Sequence, residues 1–582
     1  MVQHIKRKKP LFPGFFDLGG MRPRLLEILP HKGGTAYGLP AFGRDLVAGL
    51  IVGIVALPLS MAFSISAGGS PAQGLYTAIG AGFVVSLLGG SKYQIAGPTG
   101  AFVVIIFGVA AEHGMEGLAT AGLLAGFMLL LMGLSGLGKY IKYIPYPVTT
   151  GFTTGIGVLI FSQQVKDFLG LGIDSVRPAF FEKWADHFRY IGTFNAAAFA
   201  LGAGTLALML ILRRLAPRVP AAALAVCAAT LVSFFLKLPE AAAVETIGTR
   251  FGGIPSSLPV PGLPRISWAV IRAVLPDAFT IALLAAIESL LSAVVADSMT
   301  GDRHNASMEL AAQGMGNMVS AIFGGIPSTG AIARTATNIK SGAVSPVAGI
   351  VHALTLVAFI LFLAPAASAI PLASLAAVLI VVSWDMSSVG RFIRLIKTSP
   401  KSDSAVLLTT FALTVAFDLT FAVEAGVIMA VFLFLRRMIE VSAIKMGNND
   451  IITRLAYGEI GAGTKDQIMA LSSQHLEIYE ITGPFFFGVA DMLQNTLRNV
   501  SKPPRVLILR MGEAPVIDST GIAALESFVS QCRARKIKLC IAEIREQPLK
   551  ALRKAGLVDD LGPDRFFDTL DEAIEAAAGD LG

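Results

Sequence analysis

Charge is what this sequence has least of: Asp, Glu, Lys and Arg make up 15% of its 582 residues, against about 25% in a soluble domain. That deficit excludes a single soluble domain. With 54% hydrophobic residues it also excludes an intrinsically disordered chain, which needs low hydrophobicity and high charge. Cysteine is scarce too, and Cys227, Cys532 and Cys540 stand too far apart for a disulfide scaffold. The 60 glycines have no three-residue period, which excludes a collagen-like rod. The seven histidines show no metal-ligand spacing, and the glycine-rich stretches lack a phosphate-loop pattern. No catalytic triad or ATPase machinery is visible, so neither a metal, a cofactor nor an enzyme is expected. The net charge of +7 sits at the flanks of apolar runs and does not point to nucleic acid. The first apolar run follows a long polar stretch, so no cleavable signal peptide is expected.

What the chain has is apolar length. Between Leu46 and Val165 the only charged residues are Lys92, Glu112, Glu116, Lys139 and Lys142. At about 20 apolar residues per crossing, such a stretch spans a bilayer repeatedly. Four parts are expected: a polar segment 1–44, a transmembrane part 45–437, a linker 438–473 and a soluble α/β part 474–582. Fourteen spans are predicted near 46–66, 74–90, 98–112, 118–137, 146–165, 193–212, 219–237, 274–297, 307–324, 330–344, 346–364, 371–384, 403–418 and 421–437. The loops after even-numbered spans hold Lys139 and Lys142, then Arg213, Arg214 and Arg218, then Arg391, Arg394, Lys397 and Lys401. In the fifth-to-sixth loop, Lys166, Arg177, Lys183 and Arg189 are balanced by Asp167, Asp174, Glu182 and Asp186. This asymmetry places both termini and the soluble part in the cytoplasm.

Two motifs repeat about 230 residues apart. Ser86-Leu87-Leu88-Gly89-Gly90 precedes Pro98-Thr99-Gly100-Ala101-Phe102, and Ser320-Ala321-Ile322-Phe323-Gly324-Gly325 precedes Ser328-Thr329-Gly330-Ala331-Ile332. Seven spans separate the third from the tenth. An odd number inverts the second repeat, as in secondary transporters. Both spans are short: Gly100 to His113 gives roughly 20 Å of helix, and Thr329 to Ser345 roughly 25 Å. Each follows residues that disfavour helix, Gly97-Pro98 and Gly324-Gly325-Ile326-Pro327. Each is expected to start inside the membrane, where unpaired N–H groups and the helix dipole attract an anion. Thr99, Ser328 and Thr329 add hydroxyls, and Arg334 adds positive potential or ties helices together. Glu288 stands in the otherwise uncharged run Ile281–Val295. A carboxyl that loads and unloads a proton there is a coupling group; with Ser292, four residues on and on the same face, it could instead ligate sodium. Gln163 and Gln164 either line the cavity or pack as amides, and Asp418 and Glu424 flank an expected outer turn. In the soluble part, a strand–helix alternation includes Asp518-Ser519-Thr520-Gly521 at a helix start. Its hydroxyls are either caps or a phosphorylation or ligand point.

These residues resemble the SulP (sulfate permease) family of anion transporters over residues 40–580. The resemblance is carried by Gly74-Leu75-Tyr76, Gln94-Ile95-Ala96-Gly97-Pro98-Thr99-Gly100-Ala101 and Gln313-Gly314-Met315-Gly316-Asn317, and Asp518-Ser519-Thr520-Gly521 resembles the signature turn of a STAS domain. It implies a polytopic α-helical fold of 14 transmembrane segments in a 7+7 inverted repeat, a core moving against a gate, a cytoplasmic STAS domain and a homodimer. It implies anion contacts at Thr99, Gly100, Ala101, Phe102, Ala331, Ile332, Ala333 and Arg334, and a coupling acid at Glu288. Many members have Pro-Gln where this chain has Pro58-Leu59. The Leu-Pro-Leu form is similar to a bicarbonate-transporting branch whose sodium site resembles Glu288 plus Ser292 with a further acid where this chain has Leu284. The expected function is secondary active transport of sulfate, bicarbonate or a dicarboxylate across the bacterial inner membrane, by proton symport with alternating access. Sodium-coupled bicarbonate symport, anion exchange and a passive channel are the alternatives. Ser519 and Thr520 are the candidate regulatory positions.

Overall fold

The computed structural model describes residues 21–28, 37–138, 145–173, 176–216, 219–264, 266–417, 419–441, 443–446, 476–486, 492–493 and 503–581. Lys139, Lys142, Asp174, Arg218, Asp418 and most of the expected linker lie outside these residues, as does the side chain of Glu424. The chain forms two compact units, residues 1–430 and 431–582.

The first unit is helical. Among the described residues its α-helices of five residues or more are, in chain order, α1 (Leu39–Ser66), α2 (Pro71–Leu88), α3 (Gly100–Leu134), α4 (Tyr146–Leu169), α5 (Phe180–Arg189), α6 (Ala196–Leu215), α7 (Ala221–Phe235), α8 (Ile247–Phe251), α9 (Trp268–Thr300), α10 (Ala306–Ile322), α11 (Ile332–Lys340), α12 (Val347–Ala367), α13 (Leu372–Ser387), α14 (Val389–Thr398) and α15 (Lys401–Ala416). A last apolar helix, α16 (Leu419–Val441), contains the division at residue 430. The sequence sets their starts locally. Ser70 and Gln73 form a reciprocal capping box ahead of α2, with Pro71 at its first position. Ser267 and Asn305 cap α9 and α10.

Every predicted span falls on a helix, but not all stand alone. Spans three and four are the two halves of α3, broken at Gly114, whose φ of 68° suits glycine. Among the described residues, seven helices are long and apolar enough to cross a bilayer. Others, such as α10 with buried Glu309, Gln313 and Asn317, turn polar faces into protein rather than lipid. The short helices α5, α8 and α14 had no counterpart among the predicted spans. Phe235, Phe362 and Trp384 are at least 70% exposed, a surface that suits lipid rather than water.

The helices pack as two bundles. One joins α1, α2, α3, α9, α10, α11 and α12; the other joins α4, α6, α13 and α15. Glycines set the closest approach in the first. A Cβ on Gly314 would lie 2.5 Å from the Gly126 carbonyl oxygen, and one on Gly126 would lie 2.7 Å from that of Gly314. Such small-residue contacts let α3 and α10 touch backbone to backbone.

Two features escaped the sequence reading. Ala96–Gly97 (β1) and Thr329–Gly330 (β2) pair antiparallel, Ala96 opposite Gly330 and Gly97 opposite Thr329. The second broken helix therefore begins at Ile332, three residues later than expected, because Thr329 and Gly330 belong to the strand.

The second unit holds a five-stranded sheet in the order β3 (Ala443–Met446), β4 (Leu476–Thr482), β5 (Val506–Glu513), β6 (Lys538–Ala542), β7 (Phe566–Phe567). β3, inside the expected linker, runs antiparallel to β4; the other pairings are parallel. Alternate residues of β4 and β5 serve two cores. Tyr479, Ile481, Leu507 and Leu509 pack with α17 (Ser519–Ala534), whereas Leu476, Ile478, Val506 and Ile508 pack with α18 (Leu570–Leu581). Strands buried on both faces are the mark of a parallel sheet covered by helices.

Candidate functional site

The pairing of β1 with β2 brings the two broken helices together: Thr99 and Gly100 follow β1, and Ala331 and Ile332 follow β2. The middle of α9 runs beside both. Ser289 Oγ lies 2.9 Å from Thr329 Oγ1 and accepts the Gly330 N–H at 3.0 Å, and the Ser289 carbonyl accepts the Gln94 amide at 3.1 Å. On α10, Asn317 holds Ser328 through both its backbone N–H and its carbonyl. Thr77 of α2 and Ser320 of α10 hold Ile326 in the same way. These side chains satisfy backbone groups that strand pairing leaves open, as a buried non-helical segment requires.

Thr99 caps α3 by position, but its hydroxyl makes no capping bond. It donates instead to Glu288 Oε2 at 3.0 Å. Glu288 therefore sits against the start of α3. Ser292, one turn on, is buried and donates to Thr335 Oγ1 at 3.2 Å, and the same oxygen accepts the Ile95 N–H at 3.1 Å.

Arg334 is buried, and its Nη2 donates to the Pro98 carbonyl, in the lead-in to the other broken helix. Its guanidinium rests against Gly97, where a Cβ would meet Nη1 at 2.6 Å, and among the described residues Nη1 has no hydrogen-bond partner. Arg334 thus ties the two helix starts while keeping one donor unspent. The eight expected anion-contact positions divide by exposure: Gly100, Ala101, Phe102, Ala331 and Arg334 are buried, Thr99 is half-buried, and Ile332 and Ala333 are exposed. Gly100 is covered by the facing bundle; a Cβ there would lie 2.6 Å from Met386 Sδ of α13 and 3.1 Å from Ile160 Cδ1 of α4.

Gln163 and Gln164 do line a cavity, of about 560 Å³, between α1, α3, α4 and α13. None of the eight positions borders it. Ser66 joins the two amides at its floor, donating to Gln163 Oε1 at 3.2 Å and accepting from Gln164 Nε2 at 2.8 Å. In the second unit the cap of α17 is Asp518, whose Oδ1 accepts the Gly521 N–H at 2.8 Å. Ser519 and Thr520 are left exposed on the first turn.

The sequence reading gave no individual role to Gln94, Ser289 or Thr335, which hold the strand pair. Ser289 had a signal, standing next to Glu288 in the uncharged run. Thr335 had none, because its partner Ile95 is 240 residues away.

Residues 42–410 match the profile of the Sulfate permease family and residues 467–573 that of the STAS domain. A Bacillus subtilis protein named "Putative sulfate transporter YvdB" is 43% identical over 537 residues, covering 92% of this chain and 98% of that relative. The Bicarbonate transporter BicA of a Picosynechococcus species is 30% identical, covering 92% of this chain and 94% of its own. Among solved structures, murine Solute Carrier 26 family member A9, an anion transporter in the inward-facing state, shares the fold with a TM-score of 0.84 at 19% identity, covering 99% of this chain and 97% of its own. The transmembrane domain of a cyanobacterial BicA aligns over 68% of this chain and 98% of its own, with a TM-score of 0.58 at 29% identity.

Proposed function

The chain belongs to the sulfate permease family and carries a STAS domain, and from that premise we propose a proton-coupled symporter that carries a small oxyanion by alternating access. It is a multi-pass membrane anion transporter and not an enzyme. Sulfate and bicarbonate are the substrate candidates drawn from its relatives, with dicarboxylates as the third. The anion binds between the two helix starts, at Thr99 to Phe102 and Ala331 to Arg334. We place both termini and the STAS domain in the cytoplasm of a bacterium, keep the division at 44, 437 and 473, and read the assembly as a homodimer.

The observation that carries the coupling is the 3.0 Å hydrogen bond from Thr99 to Glu288. It joins the carboxyl in the apolar run directly to the start of an anion-binding helix, so occupancy of one site acts on the other without an intermediary. A proton carried with the anion offsets negative charge, which matters at about 2.3 kcal/mol per charge per 100 mV. Sodium coupling has weaker support, since Ser292 is engaged with Thr335 and Leu284 stands where a further acid would be needed.

Purified protein in proteoliposomes tests this. A counterflow panel of labelled sulfate, bicarbonate and fumarate identifies the substrate. An inward proton gradient should then drive accumulation of that anion, and Glu288→Gln should keep counterflow and abolish accumulation. Accumulation that follows sodium and ignores protons would transfer the coupling to a cation clamp at Glu288 and Ser292. Flux without accumulation under either gradient would make the protein a channel.

A further inference from the structure

The 560 Å³ cavity lies on the side toward which α1 and the first half of α3 run, the outer side in the proposed orientation. Phe107 lines it, seven residues beyond Gly100 and so roughly 10 Å along the helix. The bonds of Ser66 to Gln163 and Gln164 close the floor between the bundles. Among the described residues the Gln163 amide nitrogen has no protein partner.

The arginines at its rim are neutralised. Arg250 pairs with Asp167 at 2.8 Å and also with Glu245, and Arg177 pairs with Asp186 at 2.7 Å and Glu182 at 3.6 Å. Lys183 is different. It lies on α5, which had looked like part of a charge-balanced loop, and it is only 2% exposed. Its Nζ stands 5.6 Å from the centroid of the Phe107 ring, and among the described residues no carboxylate pairs with it. The charged groups that share its surroundings through His187, one turn on, are Lys166 and Asp186, and that acid is taken up by Arg177. Burial holds its ammonium down at about 8, well below its ordinary value. A buried cation that no described carboxylate pairs with, packed on the Phe107 ring that lines the cavity beside Lys166, raises the potential inside that cavity.

We propose that this cavity is a holding site for a small oxyanion, charged by Lys183 and floored by Ser66, Gln163 and Gln164, and separate from the site at the helix starts. The anion waits there until the Ser66 contacts part. What it does next rests on the transport reading; its residence in the cavity does not.

Trp184 gives the test its reporter, since it neighbours Lys183 and donates to Ser162 Oγ at 3.1 Å. With Trp268 and Trp384 changed to Phe, iodide serves as the anionic probe of the cavity and acrylamide as the neutral control. Lys183→Met should lower the iodide quenching constant roughly threefold, a modest part of what electrostatic focusing can supply, and leave acrylamide quenching unchanged. Lys183→Arg should retain the iodide effect, and so should Arg334→Ala. Sulfate or bicarbonate at constant ionic strength should protect the parent from iodide. Equal iodide quenching in parent and Lys183→Met, or no protection by either oxyanion, overturns the proposal. If Lys183→Met does not fold, the protection measurement decides alone. Failed uptake in proteoliposomes would sink the transport reading and leave these measurements standing.

Discussion

Thr99 and Glu288 are 189 residues apart in sequence and joined by a 3.0 Å hydrogen bond, the hydroxyl at one helix start donating to the carboxyl of another helix. A double-mutant cycle measures their link. Thr99→Val keeps the shape and removes the donor, a loss of about 1.5–3 kcal/mol for a bond to a charged group. Uptake by Thr99→Val should show a displaced pH midpoint. In a Glu288→Gln background the same change should have no effect on pH dependence. Additive effects of the two changes would mean that the hydrogen bond plays no part in coupling.

Arg334 and Gly97 form a second linked pair. Arg334→Ala should weaken anion binding, read by calorimetry on purified protein, at least tenfold. Arg334→Lys should not restore it, because one ammonium cannot both hold the Pro98 carbonyl and offer a second planar donor. Gly97 has φ of 151° and no room for a Cβ beside Nη1. Gly97→Ala should therefore lose binding as fully as the arginine variant.

Two glycines with equally crowded surroundings should behave differently. The obstacle at Gly314 is backbone, the Gly126 oxygen at 2.5 Å and the Leu130 nitrogen at 2.6 Å. At Gly100 it is the end of the Met386 side chain, which can swing aside. Gly314→Leu should abolish assembly of the fold, seen as loss of a monodisperse peak in detergent. Gly100→Leu should give folded protein with a blocked site.

Lys183 predicts a pH signature in stability. Burial holds it at about 8 in the folded chain, below the ordinary lysine value of 10.5. Between those values the unfolded chain holds a proton that the folded chain has released, so stability rises with pH across this window. The thermal midpoint of the parent should climb from about pH 8 toward pH 10, and that of Lys183→Met should climb less. Added sulfate should flatten the parent's climb, since an anion beside the ammonium favours its charged form. The groups close by that also titrate or carry charge are His187, Lys166 and Asp186, and only Lys183 is removed in the variant.

In the second unit, Arg510 bridges Glu480 at 2.8 Å and Glu543 at 2.6 Å, with the Glu480 side chain 1% exposed. Arg510→Met strips a buried carboxylate of its cation, at a cost of about 3–5 kcal/mol. Hydrogen exchange at β5 amides should speed up accordingly, while exchange in α3 and α10 stays unchanged.

Long elements were legible in the sequence because each carries enough apolar residues to define a span. The breaks near Gly97-Pro98 and Pro327 were legible because proline and paired glycines leave a local mark. The two-residue strands were not: a strand of that length has no period, and its partner lies more than 200 residues away. For the same reason the start of α11 was placed at Thr329. Lys183 escaped for another reason. Its loop balances charges in number, and a count does not tell which lysine is paired and which is buried. Glu288 was visible from isolation alone, yet its contact with Thr99 depends on how α9 crosses α3. The linker hid β3 because an edge strand of four residues beside polar sequence has too little pattern to register.

The backbone pairing of Ala96 with Gly330 and Gly97 with Thr329 has a mechanical consequence. Pulling the two helix starts apart would break these hydrogen bonds where no water can replace them, at several kcal/mol for each orphaned group. The proposed cradle is thus stitched shut from behind. In the proposed cycle the pair therefore moves in one piece against the facing bundle, and an anion held there would meet the same donors at both ends of its journey.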